Sequence, residues 1–239
     1  SRQADFLMRM WNRDGSEGRM CGNGLRGAAC FAWTRGLTRR LALVFETRGG
    51  LFPLRLALRQ GRVSSVSVEM GRPCFLRRDI PVTGSPGKEA WGLPLRVKGR
   101  RLRVYALSFG NPHCVVPVPD VDRFPLSEVG PLLERHRLFP ARVNVEFITV
   151  RSRRLIRQRT WERGSEETLA CGSGACAAAV TAHRLGLVDA RVVVRLSGGD
   201  LAIALGEDGR VTMTGPARPV YSGVFHLPGA GAKSPRGRS

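Results

Sequence analysis

The feature that most constrains this chain is a duplication within its own sequence. Residues 20–24 read MCGNG and residues 170–174 read ACGSG, so that Cys21 and Cys171 lie 150 positions apart. In that register, twelve residues are identical without a gap over 29 positions of each copy. Two long copies predict two similar halves rather than a solenoid of short repeats. Halves that pack about a pseudo-twofold axis would place the two cysteines face to face across a cleft.

Each copy predicts a helix that begins directly after its cysteine. Small and apolar residues dominate from 22 to about 35 and from 172 to about 184, and Gly36 and Gly186 are placed to end the two helices. Such a composition is typical of a helix buried on all sides inside a curled sheet. A third helix is expected at 127–136, capped by Ser127. Strands are expected at 6–11, 41–47, 51–59, 62–70, 94–98, 102–109, 143–150, 154–162, 190–196, 200–205, 210–214 and 219–226.

The predicted fold class is α+β, with two similar domains that each curl a mixed β-sheet around a central buried helix. Residues 1–64 plus 216–228 would form the first half, residues 65–215 the second half, and residues 229–239 a disordered tail. Asn111, in a turn predicted at 110–113 that includes His113, precedes Cys171 by 60 positions, and its counterpart in the first copy would fall about 39 positions before Ser1. We therefore expect the first copy to lack its opening segment in this chain.

The charge of +20 comes almost entirely from arginine, since lysine occurs only at 88, 98 and 233. The arginines are scattered, without an aromatic-interleaved basic stripe, and we expect no specific nucleic-acid partner. A non-catalytic, basic polyanion-binding protein stays open as an alternative, because such a charge supports weak, salt-sensitive binding. No apolar run reaches about 18 residues, so no membrane span is expected.

Six cysteines, at 21, 30, 74, 114, 171 and 176, bear on the location and chemistry of the protein. The chain is not a small secreted scaffold, and it has no Cys or His at zinc-finger spacing. Reduced thiols in the cytoplasm, without a metal, are the prediction. Cys30, Cys74, Cys114 and Cys176 lack the glycine-rich context of the duplicated pair and are interpreted as packing residues.

The duplicated cysteines indicate acid–base chemistry. A helix N-terminus favours a thiolate, and its free backbone N–H groups bind carboxylates. The amides of Gly22, Asn23, Gly172 and Ser173 would hold the carboxylate of an amino acid. One thiolate could then remove the α-proton while the other thiol protonates the opposite face. No dinucleotide or pyridoxal motif accompanies the pair, so a cofactor-independent epimerase is predicted.

Six short motifs are spread over most of the chain, namely RMWNRDGSE at 9–17, MCGNG at 20–24, GNPHC at 110–114, RVNV at 142–145, ERG at 162–164 and ACGSG at 170–174. With these motifs the sequence resembles the diaminopimelate epimerase family. The resemblance implies a pyridoxal-independent homodimer that interconverts LL- and meso-diaminopimelate for lysine and cell-wall synthesis. It also implies that the last strand of each half crosses to the other domain.

The resemblance assigns further roles by position. Asn12, Asn144 and Arg163 would recognise the distal carboxylate, as an Arg fork and amides suit that group. Asn111 and Glu162 would bind amino groups, and His113 and Glu162 would assist the thiols. The family opens with a glycine-asparagine segment that has no counterpart here, in agreement with the expected gap. A proline racemase of the same fold is the alternative substrate class, although Asn144, Glu162 and Arg163 favour a second amino-acid head group.

Overall fold

The computed structural model describes residues 1–11, 15 and 17–224. Within them, the elements follow the alternation of apolar residues and the glycine turns of the sequence. The helices are α1 (Gly22–Thr34), α2 (Leu126–Glu134) and α3 (Gly172–Arg184). The strands are β1 (Phe6–Leu7), β2 (Ala42–Thr47), β3 (Gly50–Arg59), β4 (Arg62–Gly71), β5 (Leu93–Val97), β6 (Arg100–Ser108), β7 (Pro112–Pro117), β8 (Asn144–Ser152), β9 (Leu155–Glu162), β10 (Glu166–Thr168), β11 (Arg191–Leu196), β12 (Gly199–Leu205) and β13 (Val211–Gly215).

The strands join into one mixed sheet that runs across both copies of the duplication. Its order is β1-β2-β3-β4-β13-β12-β11-β9-β8-β7-β6-β5, and β10 pairs with β9. The parallel pair β1 and β2 repeats the parallel pair β9 and β11. The bridge between Trp11 and Glu17 likewise repeats the pairing of Trp161 with Glu167. The copies meet where β4 and β13 pair antiparallel. The α+β class predicted from the sequence is confirmed.

The two duplicated helices are buried to different extents. α3 is almost entirely buried and packs against β6 to β9 and β11 to β13, as predicted. α1 packs against β3, β4 and α3, but it exposes Gly27, Phe31 and Thr34. The prediction that α1 is buried on all sides is therefore wrong. β1 ends the sheet among the described residues, whereas β9, its equivalent, continues into β8, β7 and β6.

Several predicted element boundaries differ from the structure. The strand expected at 6–11 is reduced to Phe6 and Leu7, and the described part of 219–226 forms no strand. Residues 225 and 226, like the predicted tail at 229–239, lie outside the described residues. Ser127 is not the cap of α2, because the helix begins at Leu126 and its N-cap is Pro125. The carbonyl of Pro125 accepts hydrogen bonds from the amides of Glu128 and Val129.

The hydrophobic core does not follow the duplication. One cluster joins both duplicated helices to β2, β3, β4 and β11 to β13, and a second surrounds α2 between β5 and β9. The boundary expected at residue 64 falls inside β4, which bonds to both β3 and β13. The division into 1–64 plus 216–228 and 65–215 stays a prediction. No helix in the described ranges has the length and apolar character needed to cross a membrane.

Candidate active site

Cys21 and Cys171 hold the same position in the fold, because each is the N-cap of its helix. Their backbones are extended, with φ −139° and ψ 112° at Cys21 and φ −119° and ψ 112° at Cys171. The Cys21 sulfur accepts a hydrogen bond from the amide of Gly24 at 3.3 Å, and the Cys171 sulfur accepts one from the amide of Gly174 at 3.4 Å. Two sulfurs therefore stand at the positive ends of two helix dipoles.

The N-termini of α1 and α3 lie together. The Asn23 side chain donates to the carbonyl of Ala170 at 3.2 Å, which links the first turn of α1 to the residue before Cys171. A Cβ added to Gly22 would lie 2.8 Å from the Met213 methyl carbon, and one added to Gly172 would lie 2.9 Å from the Met213 sulfur. Met213 thus contacts both helix starts, and a Cβ at either glycine would displace the end of its side chain.

The two thiols have different surroundings. Cys171 is buried, whereas Cys21 is half-buried. Burial raises the pKa of Cys171 well above its ordinary value, and the acidic side chains of Glu162 and Glu146 raise it further. Hydrogen bonds from the Gly174 amide and the Ser173 hydroxyl, which lies 3.7 Å from the sulfur, act in the opposite direction.

His113 lies in β7 rather than in the predicted turn, and its imidazole is fully buried. Its Nδ1 is 2.8 Å from Glu146 Oε1, and its Nε2 is 3.1 Å from Asn111 Oδ1. The Asn111 amide nitrogen donates to Ser173 Oγ at 3.2 Å. Glu146 was not among the residues predicted from the sequence. The signal for it is a single carboxylate inside the otherwise apolar run at 145–148, where an unpaired charge is rarely found.

The remaining predicted site residues lie around β8 and β9. Glu162 is half-buried and accepts the Thr168 hydroxyl. Asn144 is buried, and its side chain accepts the Arg163 amide at 2.9 Å and donates to the Pro112 carbonyl at 3.0 Å. The Arg163 guanidinium is exposed and donates to a carbonyl at 3.1 Å. Asn12 lies outside the described residues.

The structure therefore gathers four predicted residues of the second half in one contact network, namely Cys171, Ser173, Asn111 and His113. Glu162 acts on this network through its charge, which raises the pKa of Cys171. The first half contributes Cys21, Gly22 and Asn23. Cys30, Cys114 and Cys176 are buried as predicted, but Cys74 is exposed, so its interpretation as a packing residue is wrong. The reason is that residue 74 pairs through its backbone with Ser108 beyond the end of β4, leaving its side chain outside both core clusters.

Arg26 is a second residue that the sequence did not single out. It lies in α1 with its side chain buried, and it donates to Asn23 Oδ1 at 2.9 Å and to the Pro216 carbonyl at 3.4 Å. Burial lowers the pKa of Arg26. Arg26 orients the Asn23 amide so that its nitrogen faces Ala170. No pattern marks this arginine in so arginine-rich a chain, because its role depends on Pro216, which is distant in the sequence.

The overall arrangement matches solved structures of racemases and epimerases. A hydroxyproline epimerase from Agrobacterium vitis matches with a TM-score of 0.66 and 18% identity, over 88% of this chain and 67% of that one. A predicted epimerase from Pseudomonas aeruginosa matches with a TM-score of 0.63 and 21% identity, over 90% of this chain and 79% of that one. At such identities the likeness shows the fold alone. The chain has the fold of the racemase and epimerase class.

The chain belongs to the diaminopimelate epimerase family, whose family model, described as "Diaminopimelate epimerase", matches residues 1–76 and 105–220. The relative named diaminopimelate epimerase in Moorella thermoacetica is 47% identical over 95% of this chain and 81% of its own length. Those in Pelotomaculum thermopropionicum and Geobacillus thermodenitrificans are 45% and 43% identical, over 94% and 96% of this chain and 80% of their own lengths. The resemblance predicted from the sequence motifs is confirmed.

Proposed function

We propose that this chain is an isomerase that interconverts LL- and meso-diaminopimelate, with Cys21 and Cys171 as its acid–base pair. The observation that carries the proposal is the placement of both cysteines as N-caps of two helices whose first turns touch through Asn23 and Ala170. Relatives with 42 to 47% identity that bear the name diaminopimelate epimerase support the substrate.

In this scheme the free amides of Gly22, Asn23, Gly172 and Ser173 hold the carboxylate of the reacting centre. One cysteine, as thiolate, takes the proton as the α-carbon–hydrogen bond breaks, and the electron pair moves onto the bound carboxylate. The amides stabilise that added charge. The S–H bond of the other cysteine then breaks and its proton joins the opposite face of the carbon. No electrons leave or enter the substrate, so the chemistry needs no redox partner.

The other residues are proposed to select the substrate. Asn12, Asn144 and Arg163 would bind the distal carboxylate. The exposed Arg163 guanidinium offers several donors in a planar fork that suits a carboxylate. Asn111 and Glu162 would bind the amino groups, and Glu162 and His113 would assist the thiols. The half-buried Glu162 carboxylate supports this, because its charge already acts on the Cys171 thiol.

The remaining features of the proposal concern its setting. We place the protein in the cytoplasm, where its thiols would stay reduced, as a homodimer that serves lysine and peptidoglycan-precursor synthesis. A proline racemase is disfavoured, since the match to a probable proline racemase from Agrobacterium radiobacter has 16% identity and shows the fold alone. Polyanion binding stays a prediction that rests on charge.

The test measures inversion and proton exchange together. LL-diaminopimelate in deuterated water is followed by chiral chromatography and by deuterium incorporation, for the unmodified chain and for Cys21→Ser and Cys171→Ser. Each variant should lose on the order of a hundredfold in rate, because inversion needs a group on both faces. Cys74→Ser is the matched control, as Cys74 is exposed outside the site, and should keep the full rate. If either site variant keeps more than about a tenth of the rate, the two-base scheme is wrong.

A further inference from the structure

A continuous set of polar contacts runs from the buried carboxyl group of Glu146 to the sulfur of Cys171. It passes from Glu146 to His113 at 2.8 Å, to Asn111 at 3.1 Å, to Ser173 at 3.2 Å and to Cys171 at 3.7 Å. His113 and Glu146 are completely buried, and the far oxygen of Glu146, Oε2, has no hydrogen-bond partner among the described residues. A buried carboxyl group left half unpaired calls for an explanation.

The amide of Asn111 fixes the direction of these hydrogen bonds. Its nitrogen donates to Ser173, so its oxygen must accept from Nε2 of His113, which therefore carries a hydrogen. Because Ser173 already accepts the Asn111 amide, its own hydroxyl hydrogen is available to the Cys171 sulfur. Every donor along the chain then points toward the thiol.

The state of Glu146 follows from the same constraint. With a hydrogen on Nε2, a neutral His113 has a bare Nδ1, which accepts the acid proton from Oε1 of Glu146. The alternative is a carboxylate beside a charged imidazolium. Burial raises the pKa of Glu146, which favours the neutral acid, and an unpaired Oε2 is tolerated better on a neutral acid than on a carboxylate. In both forms the pair shares one proton and is neutral in total.

We propose that Glu146 is a positioning residue that fixes the protonated nitrogen of His113 and so directs the hydrogen-bond chain onto the Cys171 sulfur. Its effect is to favour the Cys171 thiolate against the burial that opposes it. The proposal rests on the acid–base role given to Cys171 above. It adds a residue that acts through His113, Asn111 and Ser173 without touching the substrate.

Other ionisable groups face the same region. Glu162 on β9 acts directly on Cys171, and Cys114 on β7 has its pKa raised by its own burial and by Glu146. A carboxylate at Glu146 would raise the pKa of Cys171 through its charge, whereas the proposed hydrogen-bond chain lowers it. The two effects have opposite signs, so a substitution at Glu146 separates them.

The experiment measures the thiol itself, so it stands whether or not diaminopimelate is turned over. The folded chain is alkylated with iodoacetamide between about pH 6 and 10, and the rate at Cys171 is followed by peptide mass spectrometry. Glu146→Gln imitates the neutral acid, since its amide can donate to Nδ1, and should stay within about twofold of the unmodified rate. Glu146→Met keeps the volume but has no donor, and Cys171 should react about tenfold more slowly below its pKa.

Two further variants complete the design. Ser173→Ala removes the last donor and should also slow Cys171 about tenfold, and the double variant Glu146→Met with Ser173→Ala should be no slower than Ser173→Ala alone. Gln158→Met is the matched control, because Gln158 is equally buried on the neighbouring β9 and bonds to Thr160 instead. It should leave the Cys171 rate unchanged.

Three results would overturn the proposal. Faster alkylation in Glu146→Met would mean that Glu146 acts as a plain negative charge. Equal slowing in Glu146→Gln and Glu146→Met would mean that the direction of the chain is irrelevant. Additive slowing in the double variant would mean that the two residues act independently. If Glu146→Met does not fold, Ser173→Ala tests the proposal instead. An unchanged alkylation rate of Cys171 in Ser173→Ala would mean that the hydrogen-bond chain has no effect on the thiol, and would overturn the proposal.

Discussion

Cysteine is an uncommon N-cap, and here it occupies that position at both duplicated helices. Serine, threonine, asparagine and aspartate accept the amide of the third helical residue more strongly than a sulfur does. The sulfurs of Cys21 and Cys171 make only long contacts of 3.3 and 3.4 Å with the glycine amides. Each cap therefore places a thiol at the helix N-terminus at some cost in helix stability, and that cost is measurable.

Replacing Cys21 by serine should separate stability from activity. Cys21 is half-buried, so a hydroxyl there keeps access to water while it caps α1 better. We expect Cys21→Ser to raise the free energy of unfolding in urea by about 0.5 kcal/mol. Cys114→Ser is the comparison, since Cys114 is buried in an apolar cluster and should lose about 1 to 2 kcal/mol. Loss of stability in Cys21→Ser as large as in Cys114→Ser would contradict the capping argument.

The residues that the sequence could identify are those that repeat. Comparison of the two copies identified both cysteines and the glycines after them, because these residues are identical at matched positions. Glu146 and Arg26 escaped because each acts through a partner distant in the sequence, His113 for one and Pro216 for the other.

Among the elements, the helices show how a glycine depends on its neighbourhood. A Cβ on Gly130 in α2 would lie 2.7 Å from the Trp161 ring, and that ring is held by a 2.8 Å bond from its nitrogen to Glu134. A Cβ on Gly27 in α1 would meet nothing within 4 Å. Glycine therefore permits close packing in α2, whereas in α1 it only lowers the stability of the helix.

The two glycines give a matched pair of substitutions. Gly27→Ala should raise the free energy of unfolding by about 0.5 to 1 kcal/mol, because alanine is the better helix former on an exposed face. Gly130→Ala should lower it by about 2 kcal/mol or more, because Trp161 cannot move without losing its bond to Glu134. Thermal and urea unfolding of both variants check this. A gain of stability in Gly130→Ala would show that the packing against Trp161 is looser than described.

Strands were harder to predict than helices. The start of β7 at Pro112 was not predicted, because Gly110 and Asn111 are turn residues and proline is uncommon in strands. β7 is fixed instead by its parallel partner β8, which follows after the α2 crossover. Pairing of that kind is set by tertiary contacts, to which local patterns are blind.

At the scale of the whole molecule, the fold class and the repeat could be predicted from the sequence, but the different burial of the two duplicated helices could not. β4 and β13 pair across copies, and one core contains both duplicated helices. Among the described residues, α3 packs against β6 to β9 and β11 to β13, whereas α1 packs against β3, β4 and α3. Identical residues at matched positions therefore have different exposure, as Cys21 and Cys171 demonstrate.

The meeting of the two helix N-termini predicts a cross-link. Mild oxidation with diamide should join Cys21 to Cys171, because a disulfide needs Cα atoms within about 7 Å and the Asn23 side chain already spans the gap to Ala170. Peptide mapping should find this pair, and reductant should release it and restore any activity lost. Recovery of a bond between Cys171 and Cys176 instead would contradict the arrangement.

Although the two thiols are buried to different extents, the two directions of the reaction should respond to pH in the same way. In the proposed scheme, one direction starts with Cys21 ionised and the other with Cys171 ionised. Both forms carry the same number of protons, so the balance between them does not change with pH. The values of kcat/KM for the two directions must therefore follow one common pH profile, with a ratio fixed by the equilibrium between the stereoisomers. In this scheme the burial of Cys171 affects how fast each direction runs, but it leaves the final mixture of isomers unchanged.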